Sequence, residues 1–126
     1  MMPKLITQFY PSKRLPETFR QAMQILIEQF QDAPIPETPK NSLVFIPILE
    51  KKVIGYASVT IHQRSAHISS IFIHPEFQGN LVGFKLVLDV LDKLSKTGCQ
   101  KISLNCSEKL LQFFQPLGFV ITRELS

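Results

Sequence analysis

Cysteine is scarce in this sequence: Cys99 and Cys106 are the two among 126 residues. There is no CxxC, and the nearest histidine, His74, lies 25 residues before Cys99, so the spacing of a zinc site is missing and no metal is expected. Both thiols are expected to be free. Long apolar runs are lacking too, and nothing approaches the roughly 20 residues that span a bilayer. The opening Met1-Met2-Pro3-Lys4-Leu5-Ile6 has one positive charge and too short an apolar stretch for a signal peptide. The expectation is a soluble, cytoplasmic protein with no membrane partner. Charge is not concentrated in one sign. The net charge of +4 comes from 14 basic and 10 acidic residues, and the basic ones (Lys13-Arg14, Lys51-Lys52, Lys93, Lys96, Lys101, Lys109) are scattered rather than striped, so no nucleic-acid partner is expected. A mild positive excess suits a phosphate-bearing ligand and a solvated surface equally. Internal repeats and low-complexity tracts are also missing.

What is present is enough apolar material for one packed core. Hydrophobic residues make up 44% of the chain, ten of them Phe, and the length fits a single domain over 1–126. Leu5 to Tyr10 reads as a strand ended by Pro11. Leu15, Phe19, Ala22, Met23, Leu26 and Phe30 recur at helical spacing, which predicts a helix opening at Pro16 and closing near Gln31. Pro34, Pro36 and Pro39 make 32–41 an irregular connection. Leu43–Leu49 and Val53–Ile61 read as a hairpin turned at Glu50-Lys51-Lys52, and His67–Ile73 as a third strand. After the loop His74–Asn80 the period changes to 3.6: Val82, Leu86, Val87, Val90, Leu91 and Leu94 predict a helix from Val82 to Lys96, stopped by Gly98. Lys101–Asn105 reads as a strand, Ser107–Gln115 as a last helix with Ser107 at its N-cap, and Phe119–Glu124 as a closing strand. The unit from His67 through the long helix to Asn105 implies two parallel strands inside an otherwise antiparallel sheet.

The segment Ile71-Phe72-Ile73-His74-Pro75-Glu76-Phe77-Gln78-Gly79-Asn80-Leu81-Val82-Gly83 resembles the acetyl-CoA motif of the GNAT N-acetyltransferases. In that family an apolar strand ends in a residue–Pro pair and a Gln/Arg-x-x-Gly-x-Gly/Ala loop opens a helix. Gln78 and Gly83 match its first and last positions, and Leu81 stands where the middle glycine is expected. Gly55 resembles the family's glycine on an earlier strand. Phe113-Phe114 and Leu117-Gly118-Phe119 resemble the closing motif, in which a helix carries Phe-Tyr and Leu-Gly-Phe follows. The resemblance implies an α/β (α+β) fold of GNAT type. Its sheet is mixed and mostly antiparallel, with a parallel strand pair splayed around a CoA site and helices on the flanks. Acetyl-CoA is the implied co-substrate. Independently of the family, a glycine-containing turn at a helix N-terminus offers unpaired N–H groups to a pyrophosphate.

The implied reaction is direct attack of an amine on the acetyl-CoA thioester. The residues expected to contact the cofactor are Ile71, Phe72, Ile73, Gln78, Gly79, Asn80, Leu81, Val82 and Gly83, with a backbone N–H of Ile71-Phe72-Ile73 stabilising the oxyanion. His67 is a candidate base, histidine being well suited to exchange protons near neutral pH. Tyr56, on the neighbouring strand, is a candidate to orient a water. Half-exposed strand position and sheet packing are the plainer readings of these two. The family's leaving-group tyrosine corresponds to Phe114, which has no proton to give. The acceptor, a primary amine of a small molecule or peptide, is unspecified by the sequence. Three readings of function are weighed: an N-acetyltransferase, a weak or inactive GNAT-fold protein serving in binding or regulation, and an unrelated α/β domain such as a nucleic-acid binder, against which the scattered charge counts. Exposed sheet edges make a homodimer plausible.

Overall fold

The structure, a computed structural model, describes residues 5–36, 41–78, 81–105, 112 and 114–119. Its elements are β1 (Leu5–Pro11), α1 (Glu17–Gln29), β2 (Ser42–Leu49), β3 (Lys52–Val53), β4 (Gly55–His62), β5 (Ser65–Ile73), α2 (Val82–Lys96) and β6 (Lys101–Leu104). One sheet runs in the order β1-β2-β4-β5-β6, with β3 also paired to β2. All described pairings are antiparallel except β5 with β6, which are parallel neighbours joined in the chain through α2. This is the mixed sheet with one parallel pair that the strand–helix–strand order implied.

α2 begins and ends where its periodicity predicts. Its stop is a Schellman motif: Gly98 takes φ +89°, the Gly98 N–H donates to the Ser95 carbonyl and the Cys99 N–H to that of Leu94, both at 3.2 Å. The Val53–Ile61 run is interrupted rather than continuous. β3 ends at Val53 and β4 begins at Gly55, while the Ile54 N–H donates to Pro47 O at 3.1 Å. Pro47 has no N–H to return, so the ladder with β2 breaks there. The predicted last helix and closing strand fall largely outside the described residues, as do Ser107 and Cys106.

Of the helices α1 and α2, each covers one face of the sheet. α2 lays Val82, Leu86, Val90 and Leu94 on Phe45, Ala57, Val59, Ala66, Ile68 and Ile73. On the other face Leu15 and Met23 pack against Val44, Ile46 and Tyr56. The largest apolar burial is therefore beneath α2, which fixes the position of the helix that follows β5.

Candidate functional site

β5 is the strand around which the site is built. Ala66 and Ile68 face α2, and further along so do Ile71 and Ile73. That change from even to odd positions is a bulge: Val59 pairs with Ile68 and Ser58 with Ser70, leaving Ser69 as an extra residue. β6 accompanies β5 only through the pairs Ser65–Lys101 to Ile68–Leu104. From Ser69 to Ile73 no described strand lies on that side of β5.

The register determines which backbone groups the opened edge exposes. The His74 N–H donates to Ile54 O at 2.8 Å. Hydrogen-bonded pairs alternate along an antiparallel ladder, so Phe72 with Tyr56 and Ser70 with Ser58 bond across to β4. The N–H and C=O groups of Ile71 and Ile73 then point away from β4, into the gap. Of the three strand residues expected at the cofactor, Ile71 and Ile73 thus present backbone to the opening. Phe72 directs its backbone to β4 and packs its ring near Tyr56 and Phe30, both at 5.7 Å.

The turn after β5 is tied back to the strand. The Gln78 side-chain amide donates to Ile73 O at 2.8 Å. The His74 ring accepts the Glu76 N–H and so caps the short 3-10 turn Pro75–Phe77. Gly79 and Asn80 lie outside the described residues. Leu81 is the N-cap of α2 and adopts φ +62°, ψ 8°, the left-handed conformation that favours glycine, with its side chain 75% exposed. The backbone at Leu81 therefore has a shape glycine would take, although the residue is Leu. Val82 and Gly83 form the first turn of α2, whose leading N–H groups have no intrahelical acceptor.

Gly55 has a steric reason to be glycine. A Cβ there would lie 2.2 Å from Phe72 O and 3.2 Å from Ile73 Cα. Its bareness lets β4 approach the very stretch of β5 that faces the gap.

The two candidate catalytic side chains are separated. Tyr56 is fully buried, its hydroxyl donates to Pro34 O in the connection after α1, and burial pushes its pKa up to about 12. It ties that connection to the sheet, and its hydroxyl is engaged there rather than with a water in the gap. His67 lies in the part of β5 still paired to β6, and its Nδ1 shares a 2.9 Å hydrogen bond with Ser103 Oγ. It lies four positions from Ile71, about 13 Å at strand spacing.

The register also aligns polar residues that sequence reading left unassigned. Ser42, Thr60, His67 and Ser103 are successive partners across β2, β4, β5 and β6, and Ser42 Oγ donates to Ser12 Oγ at 2.7 Å. Thr60 Oγ1 and Ser69 Oγ share a 3.1 Å hydrogen bond. The slip in apolar alternation across Ile68-Ser69-Ser70-Ile71 was the available signal for the bulge. Phe114 is buried and pairs edge-to-face with Phe119 at 5.9 Å. One open cleft lies between α2 and β1 beside Phe9 and Lys93, and another between α1, the β2–β3 turn and the turn after β5, lined by Ile25, Lys52, His74 and Glu76. Among the described residues no group of three His, Cys, Asp or Glu is placed to hold a metal ion, and no helix is long and apolar enough to cross a membrane.

A mixed sheet opened beside a helix N-terminus is the GNAT-type architecture. The sequence model of the Acetyltransferase (GNAT) family matches residues 4–119, and the chain belongs to that family. It is 31% identical over 75 residues to a glucosamine 6-phosphate N-acetyltransferase of Trypanosoma brucei brucei, covering 54% of this chain and 51% of that one. The chain spans about half the length, or less, of the curated relatives it matches first. The crystal structure of a glucosamine-6-phosphate N-acetyltransferase from Arabidopsis thaliana superposes with a TM-score of 0.75 at 16% identity, covering 98% of this chain and 96% of that one. An aminoglycoside N-acetyltransferase in complex with CoA superposes at 0.72 and 16%, covering 100% and 94%. At these identities the structural likeness establishes the fold.

Proposed function

We propose that this protein is an acetyl-CoA-dependent N-acetyltransferase that moves the acetyl group to a primary amine of a small molecule or peptide by direct attack. The observation that carries the reading is the parting of β5 from β6 after Ile68, on the stretch of strand that leads toward the left-handed turn at Leu81. The residues present fit the co-substrate. The extended, amide-bearing arm of CoA can pair with the strand edge at Ile71 and the Ile73 N–H, the Ile73 carbonyl being held by Gln78. Its phosphates suit the free N–H groups that open α2. When bound, acetyl-CoA supplies the activated acyl group.

In this reading the Ile71 N–H donates to the thioester oxygen as negative charge gathers there. The amine nitrogen forms the new bond to the carbonyl carbon, the carbon–sulfur bond breaks, and sulfur leaves with the electron pair. The nitrogen's proton passes by way of water to His67. The tautomer in which Nδ1–H donates to Ser103 leaves Nε2 free to accept it. The group at Phe114 cannot protonate the leaving sulfur, so CoA departs as thiolate. The small-molecule amines named for the relatives support an acceptor of that kind.

Calorimetric titration with acetyl-CoA, followed by thiol release in the presence of amines, tests the reading. One-to-one binding in the micromolar range with amine-dependent thiol release supports it. Binding without turnover would favour a non-catalytic binding module, the alternative that Phe114 motivates.

A further inference from the structure

β1 is an end strand of the sheet. It pairs with β2 along its whole length, and among the described residues no strand lies on its other side. The interruption at Pro47 shows which groups that free side carries. Pro47 O accepts from the Ile54 N–H, so the backbone of Pro47 faces away from β1, and Thr7, its partner in β1, makes a non-hydrogen-bonded pair with it. Pairs alternate along the ladder, so Leu5–Leu49 and Phe9–Phe45 are non-hydrogen-bonded too. The N–H and C=O groups of Leu5, Thr7 and Phe9 therefore point outward, away from β2.

Free edges are usually blunted by charge, by a proline within the strand or by a bulge. β1 has none of these. Leu5-Ile6-Thr7-Gln8-Phe9-Tyr10 carries no charged residue, its register with β2 is unbroken, and Pro11 stands at its very end. The strand also exposes apolar side chains, Ile6 at 46% and Phe9 at 42%. A neutral strand can pair with its own copy without setting like charges opposite each other. Symmetry then fixes the register. Two identical chains that share one patch do so about a two-fold axis, so β1 meets itself antiparallel. An axis at Thr7 sets Thr7 against Thr7 and Leu5 against Phe9 of the second copy, and every outward N–H and C=O of the three residues is bonded. An axis at Gln8 would set Leu5 against Pro11, which has no N–H to give. The Thr7 register also lays the exposed ring of Phe9 beside Leu5 of the second copy, on the face that packs toward α2.

We infer that the outer edge of β1 is an interface for a second copy of this chain, which adds its own β1 antiparallel about an axis at Thr7 and joins the two sheets into one. β2 and β4 lie between β1 and β5, so the opened edges of β5 stay clear of the seam, and the inference does not depend on acetyl transfer. Sedimentation equilibrium over a dilution series tests it. The unaltered protein is expected to be a dimer at high micromolar concentration and to dissociate on dilution. Ile6→Lys puts charge on an exposed edge position and is expected to raise the dimer Kd at least about tenfold. Thr7→Pro removes an outward N–H that β2 does not use, and is expected to leave a folded monomer. The register has its own test. With the axis at Thr7, the two Thr7 Cα atoms lie about 5.5 Å apart, within reach of a disulfide. Thr7→Cys is expected to form a covalent dimer on mild oxidation, and Gln8→Cys, whose Cα atoms are more than about 7 Å apart, no more than the unaltered protein with its own cysteines. A monomer at every concentration overturns the inference, as does a dimer undiminished by Ile6→Lys and Thr7→Pro. If circular dichroism shows that those two variants do not fold, the cross-link decides: its absence in Thr7→Cys, or an equal yield in Gln8→Cys, overturns the proposal.

Discussion

Gly55 and Phe72 approach so closely that a Cβ on the glycine would sit 2.2 Å from the Phe72 carbonyl oxygen. The neighbour is backbone, so it cannot yield by a change of rotamer. Gly55→Ala is therefore expected to lower stability by about 1–3 kcal/mol, the usual range for overpacking. It should also displace the stretch of β5 that faces the gap. Chemical denaturation gives the first quantity, and calorimetry with acetyl-CoA the second. Unchanged stability together with unchanged affinity would contradict the close packing of β4 on β5.

Leu81 holds a left-handed conformation with its side chain mostly in water. Left-handed backbone costs an L-residue about 1–2 kcal/mol, and glycine's extra freedom in the unfolded chain offsets part of that. Leu81→Gly should accordingly raise stability by about 0.5–1 kcal/mol. Because the backbone already has the shape glycine takes, acetyl-CoA affinity should change by no more than about twofold, or roughly 0.4 kcal/mol. A much larger gain in affinity would mean that the leucine side chain obstructs the phosphates.

Tyr56 separates a positioning role from a chemical one. Tyr56→Phe removes the hydrogen bond to Pro34 O and is expected to destabilise by about 1–3 kcal/mol. A residue acting as proton donor or acceptor would lose about 10²–10⁴ in kcat on the same change. We expect a loss of less than about tenfold, arising from a looser connection after α1. Turnover measured beside thermal unfolding distinguishes the two.

The same tyrosine sets a sensitivity to alkali. Its ordinary value is 10.0, and burial raises it to about 12 in the folded protein. The neutral form is the one the fold favours, so this contribution is complete below pH 10 and fades as pH rises from 10 through 12. Melting temperature followed across that window should fall in the unaltered protein and fall less steeply in Tyr56→Phe. Phenolate absorption from Tyr56 should appear only as the protein opens.

Phe114→Tyr supplies a hydroxyl at the position the family resemblance assigns to leaving-group protonation. If acetyl transfer occurs here with thiolate departure, kcat should rise by about tenfold or more, within what a placed acid contributes. The position is buried, so a new hydroxyl left without a partner costs about 1–3 kcal/mol. Stability must therefore be measured alongside the rate.

Much of this fold was legible in the chain because two kinds of local signal were strong. The 3.6-residue recurrence from Val82 to Leu94, with Gly98 behind it, marked α2 to the residue. The strand–helix–strand order led to the parallel pair. What escaped depended on partners distant in sequence. Pro47 interrupts the pairing of Ile54 from across the sheet, and the Tyr56 hydroxyl meets a carbonyl 22 positions away. The row Ser42, Thr60, His67, Ser103 exists only once four strands are in register. His67 was singled out from its type alone.

The extra residue at Ser69 behaves like a shift of reading frame within β5. Everything before it alternates inward on even numbers, and everything after it on odd ones. Loss of that one residue would leave Ile68 and Ser70 in plain alternation, with Ile71 and Ile73 still toward α2 and Phe72 still toward α1, so the bulge changes the twist and direction of the strand and not its faces. Its consequence is a change of heading in mid-strand, made without exchanging which side chains meet which helix, at the point where the pairing with β6 stops.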